Sequence, residues 1–298
     1  MISAPPNLPR LLFALVVCAG ILASAFAFAQ HPAPPSAEFT NPQRVSIAGY
    51  DGDAMEPFLT RDGKYLFFNN LNAPPVNTNL YYATRVDDTH FTSQGEIRGV
   101  NSPSLEAVAS MDRDNNFYFV SDRSYNQTAS TLYRGKFANG EVTGIELVPG
   151  VSNFKPGIVN FDAEISADGN TLYYVESQFT FRKIPESAFI SIAHRKDGAF
   201  LRDPASQTIL KSVNNDSLNY APAVSANERE MFFTRLDPQG PRIYTAKRAS
   251  ASQPFEAAKP VAVITGFVEA PALSPDEESL YYHKKEDGHY VIYRVTRP

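Results

Sequence analysis

Glu56-Pro-Phe-Leu-Thr-Arg-Asp-Gly-Lys-Tyr-Leu-Phe-Phe68 decides the fold, because the chain repeats its plan four more times. The copies are Glu106-Ala-Val-Ala-Ser-Met-Asp112 continuing to Phe117-Tyr-Phe119, Asp162-Ala-Glu-Ile-Ser-Ala-Asp-Gly-Asn-Thr-Leu-Tyr-Tyr174, Ala221-Pro-Ala-Val-Ser-Ala-Asn-Glu-Arg-Glu-Met-Phe-Phe233 and Ala270-Pro-Ala-Leu-Ser-Pro-Asp-Glu-Glu-Ser-Leu-Tyr-Tyr282. A Ser or Thr anchors each copy: Thr60, Ser110, Ser166, Ser225 and Ser274, at spacings of 50, 56, 59 and 49 residues. Two residues past each anchor stand Asp62, Asp112, Asp168, Asn227 and Asp276. These side chains bond their own backbone two residues on and favour a tight reversal between strands. Gly63 and Gly169 follow the Asp, where a positive φ is easiest. The five polar residues therefore read as hairpin residues rather than metal ligands.

Each repeat carries four strand signals. An apolar stretch precedes the anchor and an aromatic run follows the turn. The third is an apolar–aromatic pair: Leu80-Tyr81, Leu132-Tyr133, Phe189-Ile190, Ile243-Tyr244 and Ile292-Tyr293. The fourth is expected at Glu96 to Val100, Glu146 to Leu147, Thr208 to Leu210 and Val261 to Ile264. The fifth repeat ends without one, and Arg44-Val-Ser-Ile-Ala48 has strand character and no partner of its own. Lending that segment to the last repeat closes a ring and removes an exposed sheet edge. The expected fold is all-β, a five-bladed β-propeller of four-stranded antiparallel blades. Pro57, Ala107, Ala163, Pro222 and Pro271, taken as three residues before each anchor, suit an inner strand whose channel edge has no partner.

Composition agrees. Twenty-three Pro argue against long helices, while 15 Tyr and 21 Phe favour strands. A net charge of −5 with no basic stripe excludes nucleic acid as an expected partner. Residues 1–29 read as an export signal: Arg10, an apolar run from Leu11, and Ala27-Phe28-Ala29 before Gln30. The competing reading of the same run is a retained membrane anchor. The small-x-small end, with no positive charge after it, favours cleavage and a periplasmic or secreted protein with no further membrane association. Cys18 falls inside the signal, so the mature chain has no thiol chemistry. Residues 30–43 read as a loose leader and 44–298 as one propeller domain, expected to be monomeric.

The Ser-x-Asp-Gly turn, with Pro before it and an aromatic strand after it, resembles the TolB-type β-propeller repeat. Ser274-Pro275-Asp276 and Thr60-Arg61-Asp62-Gly63 are the closest copies, and the resemblance covers 44–298. The Trp frequent before the Ser in that family is absent, replaced by Leu59, Ala109, Ile165, Val224 and Leu273. The resemblance implies an envelope binding module for a protein partner. Peptidases that carry such propellers use a Gly-x-Ser-x-Gly elbow, and this chain has none.

One pattern points to chemistry. Glu56, Glu106 and Asp162 stand four residues before their anchors, and Glu269 one place earlier in its repeat. Equivalent positions converge near a propeller axis, so these carboxylates are the candidate ligand-binding set. Glu56, Glu106 and Asp162 are the candidate catalytic set if the protein is an enzyme. Such a cluster suits Ca²⁺, though no cofactor is otherwise implied, and a like-charged pair supplies the raised acid that a glycan hydrolase needs. Some five-bladed propellers are glycoside hydrolases, an analogy of fold alone. The plain alternative is that an acid before Pro ends its strand in water. Glu164 stands where other repeats have Phe58, Val108, Ala223 and Ala272, so it must be solvated or paired. Arg123 and Arg235, at corresponding loop positions, are candidate clamps for an anionic ligand. The five histidines form no His-x-x-x-His pair, and no phosphate loop occurs.

Overall fold

The computed structural model describes residues 39–72, 77–152, 155, 157–179, 185–215 and 218–297. The expected export signal and most of the leader lie outside them. Blade 1 comprises β3 (Met55–Leu59), β4 (Tyr65–Asn69), β5 (Leu80–Arg85) and β6 (His90–Glu96). Blade 2 has β7 (Glu106–Met111), β8 (Asn116–Ser121), β9 (Leu132–Ala138) and β10 (Glu141–Leu147). Blade 3 has β11 (Ile158–Ile165), β12 (Thr171–Gln178), β13 (Ser187–Lys196) and β14 (Ala199–Arg202). Blade 4 has β15 (Leu218–Val224), β16 (Glu230–Asp237), β17 (Gly240–Lys247) and β18 (Lys259–Pro260). Blade 5 takes β19 (Val268–Leu273), β20 (Ser279–Glu286) and β21 (His289–Thr296) from the C-terminus and β1 (Thr40–Arg44) from the N-terminus. The protein is a five-bladed β-propeller closed by its own N-terminal strand.

Closure is broader than the sequence suggests. β1 pairs antiparallel with β21, so the strand starts inside the stretch read as leader. Val45 still donates its N–H to Ile292 O (2.9 Å). The chain then crosses to blade 1, where β2 (Ser46–Ala48) lies parallel to β6. One segment thus ties the last blade to the first.

Second strands show why the aromatic runs are continuous. In β8, Phe117 and Phe119 join the apolar cluster shared with blade 1, while Tyr118 and Val120 join the one shared with blade 3. In β20, Leu280 and Tyr282 face blade 4 and Tyr281 faces blade 1. Alternate side chains point to opposite faces, and here both faces are buried. The five clusters fill the five junctions between blades.

Fourth strands depart from expectation. The expected Glu146 to Leu147 lies within β10, but β6 only reaches the start of its expected stretch at Glu96, β18 ends before Val261, and Thr208 to Leu210 falls not in β14 but at the end of a helical turn spanning Ser206–Ile209. Outer strands are half-exposed and polar (His-Phe-Thr-Ser-Gln-Gly-Glu in β6), so they give no apolar signal. Apolar pairs three apart stand in the links to the next blade, Ile97 and Val100, Val148 and Val151, Leu210 and Val213, Val261 and Ile264, and Ile97, Val100, Leu210, Val261 and Ile264 are among the residues read as strands. All eight are buried in the junction clusters.

The turns follow the expected chemistry in four blades. Thr60 Oγ1 donates to Asp62 Oδ1 (2.7 Å) and accepts from Tyr65 N (3.0 Å); Ser166, Ser225 and Ser274 do likewise. Blade 2 differs. Asp112, not Ser110, holds its turn, accepting from the N–H groups of Asp114 and Asn116 (both 2.9 Å). Strand register confirms the shift: Met111 opposes Phe117 as Leu59 opposes Leu66. Ala109 is therefore the counterpart of Pro57, and Val108 that of Glu56. The slip is of two residues, which keeps every side chain on its face and so leaves the hydropathy pattern unchanged.

Phe39, buried just before β1, meets Phe232 edge-on (centroids 5.6 Å) and lies under Arg297. Phe39→Ala is expected to cost about 3–5 kcal/mol in urea unfolding, and deleting residues 39–48 should cost more and promote association through the bared edge. Unchanged midpoints would show that closure does not limit stability.

Candidate functional site

Every inner strand bends at the same place. Glu56, Val108, Asp162, Ala221 and Ala270 all have φ between +49° and +56°, and each coincides with a break in register against the second strand. None is glycine, so five bulges hold L-residues in a left-handed conformation that most side chains avoid. A bulge turns a backbone N–H off the ladder, and the neighbouring blade caps it. Val108 N donates to Asn69 Oδ1 (3.3 Å), Ala270 N to Thr234 Oγ1 (2.9 Å) and Glu56 N to His283 Nδ1 (3.0 Å). Asn69, Thr234 and His283 occupy one register position on β4, β16 and β20. In β12 that position is Val175, which cannot accept, and Asp162 Oδ2 instead receives Ala221 N (2.8 Å).

Above the bulges lies a cavity lined by Glu56, Asp162 and Glu269 together with Asn72, Tyr220 and His283. The remaining lining is apolar or aromatic, including Leu105, Phe161, Phe179, Leu218, Leu236 and Phe267. The cavity has a volume of about 70 Å³.

Three of the four acids thus converge. Asp162 is 3% exposed and Glu269 1%. Tyr220 donates its hydroxyl to Glu269 Oε1 (2.5 Å). His283 accepts from Glu56 N at Nδ1, which leaves the ring proton on Nε2, 3.3 Å from Glu269 Oε2. Burial pushes the Asp162 carboxyl up to about 7; the Ala221 N–H opposes this and Glu269 adds to it. Burial, then Asp162 and Glu269, hold Glu56 well above the ordinary carboxylate range, against donors from Val108 and Asn69. Tyr220 is raised by burial and by Glu269. Among the described residues no group of three or more His, Cys, Asp or Glu is gathered as a metal-ion ligand set.

The structure places the other predicted residues elsewhere. Glu106, two residues from the bulge because of the blade 2 slip, is fully buried and accepts from Ser102 Oγ (2.7 Å), Ser121 Oγ (2.8 Å) and Arg123 Nη2 (2.9 Å). Arg123 stacks on Phe119 and Tyr133, and its counterpart Arg235 on Phe233 and Tyr244. Arg235 also donates to Asn219 Oδ1 (2.8 Å) and Val213 O (2.7 Å). Both arginines fasten links between strands. Glu164 is paired: Arg61 reaches from the blade 1 turn to its Oε1 (2.7 Å), and Ser110 donates to its Oε2 (2.8 Å). This group stands at the lower end of the channel, in a second, smaller cavity that Glu56 and Asp162 also line.

His283, Tyr220 and Asn72 were not singled out from the sequence as site residues. A signal existed for His283, a lone polar residue in the run Leu280-Tyr-Tyr-His283, at the place Val120 and Val175 fill in their strands.

No family model matches the chain, and no curated protein matches it either. Solved structures do. BT0996, in its RGII complex, superposes with a TM-score of 0.61 at 9% identity, over 88% of this protein and 92% of that one. The α-L-arabinofuranosidase PaAbf62A from Podospora anserina, in complex with cellotriose, gives 0.54 at 12% identity, over 87% and 96%. TolB from Acinetobacter baumannii gives 0.46 at 19% identity, over 75% of this protein and 46% of that one, so the chain spans about half its length. At these identities the likeness is one of fold.

The raised Asp162 carboxyl has a consequence for stability. Unfolded, an Asp titrates near about 3.9, so between roughly pH 4 and 7 the folded chain holds a proton the unfolded chain has lost. Stability should therefore fall as pH rises through that window and level off above it. Asp162→Asn removes this loss and keeps an acceptor for Ala221 N–H. Its melting temperature should match the wild type near pH 4 and exceed it by several degrees at pH 7.5. Parallel melting profiles for the two proteins would refute the assignment.

Proposed function

We propose that the protein is an exported propeller acting as a binding module, periplasmic or secreted, for a protein partner that docks on the mouth of the upper cavity. What supports this is the lining of the cavity: a few polar side chains set among mostly apolar and aromatic ones. Anchors that insert into such pockets dominate protein interfaces. The likeness of the repeat to the TolB-type unit fits this reading. Among the described residues no helix is long and apolar enough to cross a membrane, and export rests on the signal read at residues 1–29.

A second reading has one observation in its favour. Glu56 and Asp162 are held protonated towards neutral pH by their surroundings, the property required of a general acid. On this reading the protein is a glycan hydrolase, with Glu56, Asp162 and Glu269 as its acids and without Glu106.

A photo-crosslinking amino acid placed at Leu105 or Leu218 on the rim, and at exposed Thr143 on β10 as control, separates the two when the protein is made in its native exported setting. Protein adducts are expected from both rim sites and none from Thr143. Absence of rim adducts, or turnover of an aryl arabinofuranoside or polysaccharide that Asp162→Asn abolishes, would replace docking with hydrolysis.

A further inference from the structure

We propose that the group received by the upper cavity is an organic cation, the ammonium or guanidinium of a lysine or arginine side chain of the docking partner, seated among Glu56, Asn72, Asp162 and Glu269. The inference rests on the docking reading above and names what docks.

Unsatisfied acceptors carry the argument. Asn72 is 8% exposed and its Oδ1 has no hydrogen-bond partner. Glu56 Oε2 is likewise enclosed and unpartnered. Both residues line the cavity, and native proteins leave few buried acceptors unpaired. Asn72 Oδ1 accepts only, and Glu56 Oε2 accepts once its carboxyl is ionised, so a ligand that satisfies both is a donor that favours the ionised acid.

Charge points the same way. The titratable groups facing the cavity are Glu56 on β3, Asp162 on β11, Tyr220 on β15, Glu269 on β19 and His283 on β20; blade 2 presents only Ala107 and Val108 at its inner strand. Among the described residues no lysine or arginine lines the cavity. His283 cannot serve as the counter-charge, because its Nδ1 already accepts from Glu56 N. Phe161, Phe179 and Phe267 offer ring faces or edges around the acids, and aromatic faces attract cations. The absence of a gathered set of three metal-type ligands among the described residues suits a cation that spreads its donors over several ångströms.

Seating a cation expels protons from Glu56 and Asp162, so binding is linked to pH. Affinity should rise with pH by up to about tenfold per unit below pH 7 for each proton displaced.

The test is calorimetric titration of the whole mature protein at pH 5.5 and 8.0. The probes are N-acetyl-lysine methylamide, N-acetyl-arginine methylamide, neutral N-acetyl-norleucine methylamide, putrescine and Ca²⁺. At least one of the lysine and arginine compounds should bind, at least tenfold more tightly at pH 8.0, with heats that vary with the buffer as protons are released. The norleucine compound should not bind. The Glu56→Gln/Asp162→Asn double variant should lose at least tenfold in affinity together with the pH dependence, and Asn72→Ala severalfold with the pH dependence kept. Both variants should first show a cooperative melt. Equal binding of norleucine, binding of putrescine or Ca²⁺ without either side-chain compound, or no binding at all would overturn the proposal. Rim crosslinks that persist in the double variant while these probes fail would sink the cation and leave docking standing. Missing rim crosslinks would instead remove the docking reading itself.

Discussion

Everything in this molecule follows from blades that are apolar on both faces. A four-stranded sheet with Phe117 and Phe119 on one side and Tyr118 and Val120 on the other cannot hide its surface alone. It needs a neighbour on each side, and the neighbours need neighbours. A ring satisfies them all, whereas an open stack would leave two aromatic faces in water. That is why the chain spends its N-terminal segment on closure. β1 completes the last blade, and β2 then continues onto the first, so this junction is bridged by covalent chain as well as by side-chain contacts.

Closing five sheets around an axis crowds the inner strands. Each responds with a bulge at one position, and four of the bulge N–H groups are capped by side chains of the adjacent blade. The ring of caps consists of polar side chains at a depth where the rest of the fold is apolar. A propeller therefore builds a polar girdle near its axis for structural reasons. Chemistry at this girdle needs only changes in which residue caps and which faces the channel. Asp162 does both: it sits at a bulge, and it caps the next one.

The fold was legible because its signals are local and repeated. Turn chemistry and the aromatic second strands come from short stretches whose hydrogen bonds lie within five residues, as in Thr60 to Tyr65. Of the fourth strands only β10 was legible, at Glu146 to Leu147. Their outer edges face solvent, and the apolar pairs that follow them serve a junction, not a strand. The site was half legible. Glu56, Asp162 and Glu269 converge because equivalent positions must. Glu106 does not, since an Asp in place of a Ser anchors the blade 2 turn and moves the register by two. No hydropathy argument detects a slip that preserves alternation. Tyr220 was hidden for a different reason, because a tyrosine among apolar strand residues looks like core until its partner across the channel is known, whereas His283 stands out as the lone polar residue of its run.

The two ends of the channel treat a buried carboxylate differently, and the contrast separates structure from function. At the lower end, Glu164 is neutralised from within: Arg61 supplies the charge and Ser110 the second donor, and Arg61 also binds the carbonyls of Met111 and Ile165. A buried carboxylate so matched is stable and inert, and losing one partner is costly. At the upper end, three acids share one cavity with a phenol, a histidine and an amide, and the described residues offer them no cation. Burial keeps two of them towards the protonated form instead. A fold that can place Arg61 across one end of its axis has the means to place an arginine at the other. Among the described residues the upper acids have no such partner, and an incoming positive group would convert the cost of their burial into affinity.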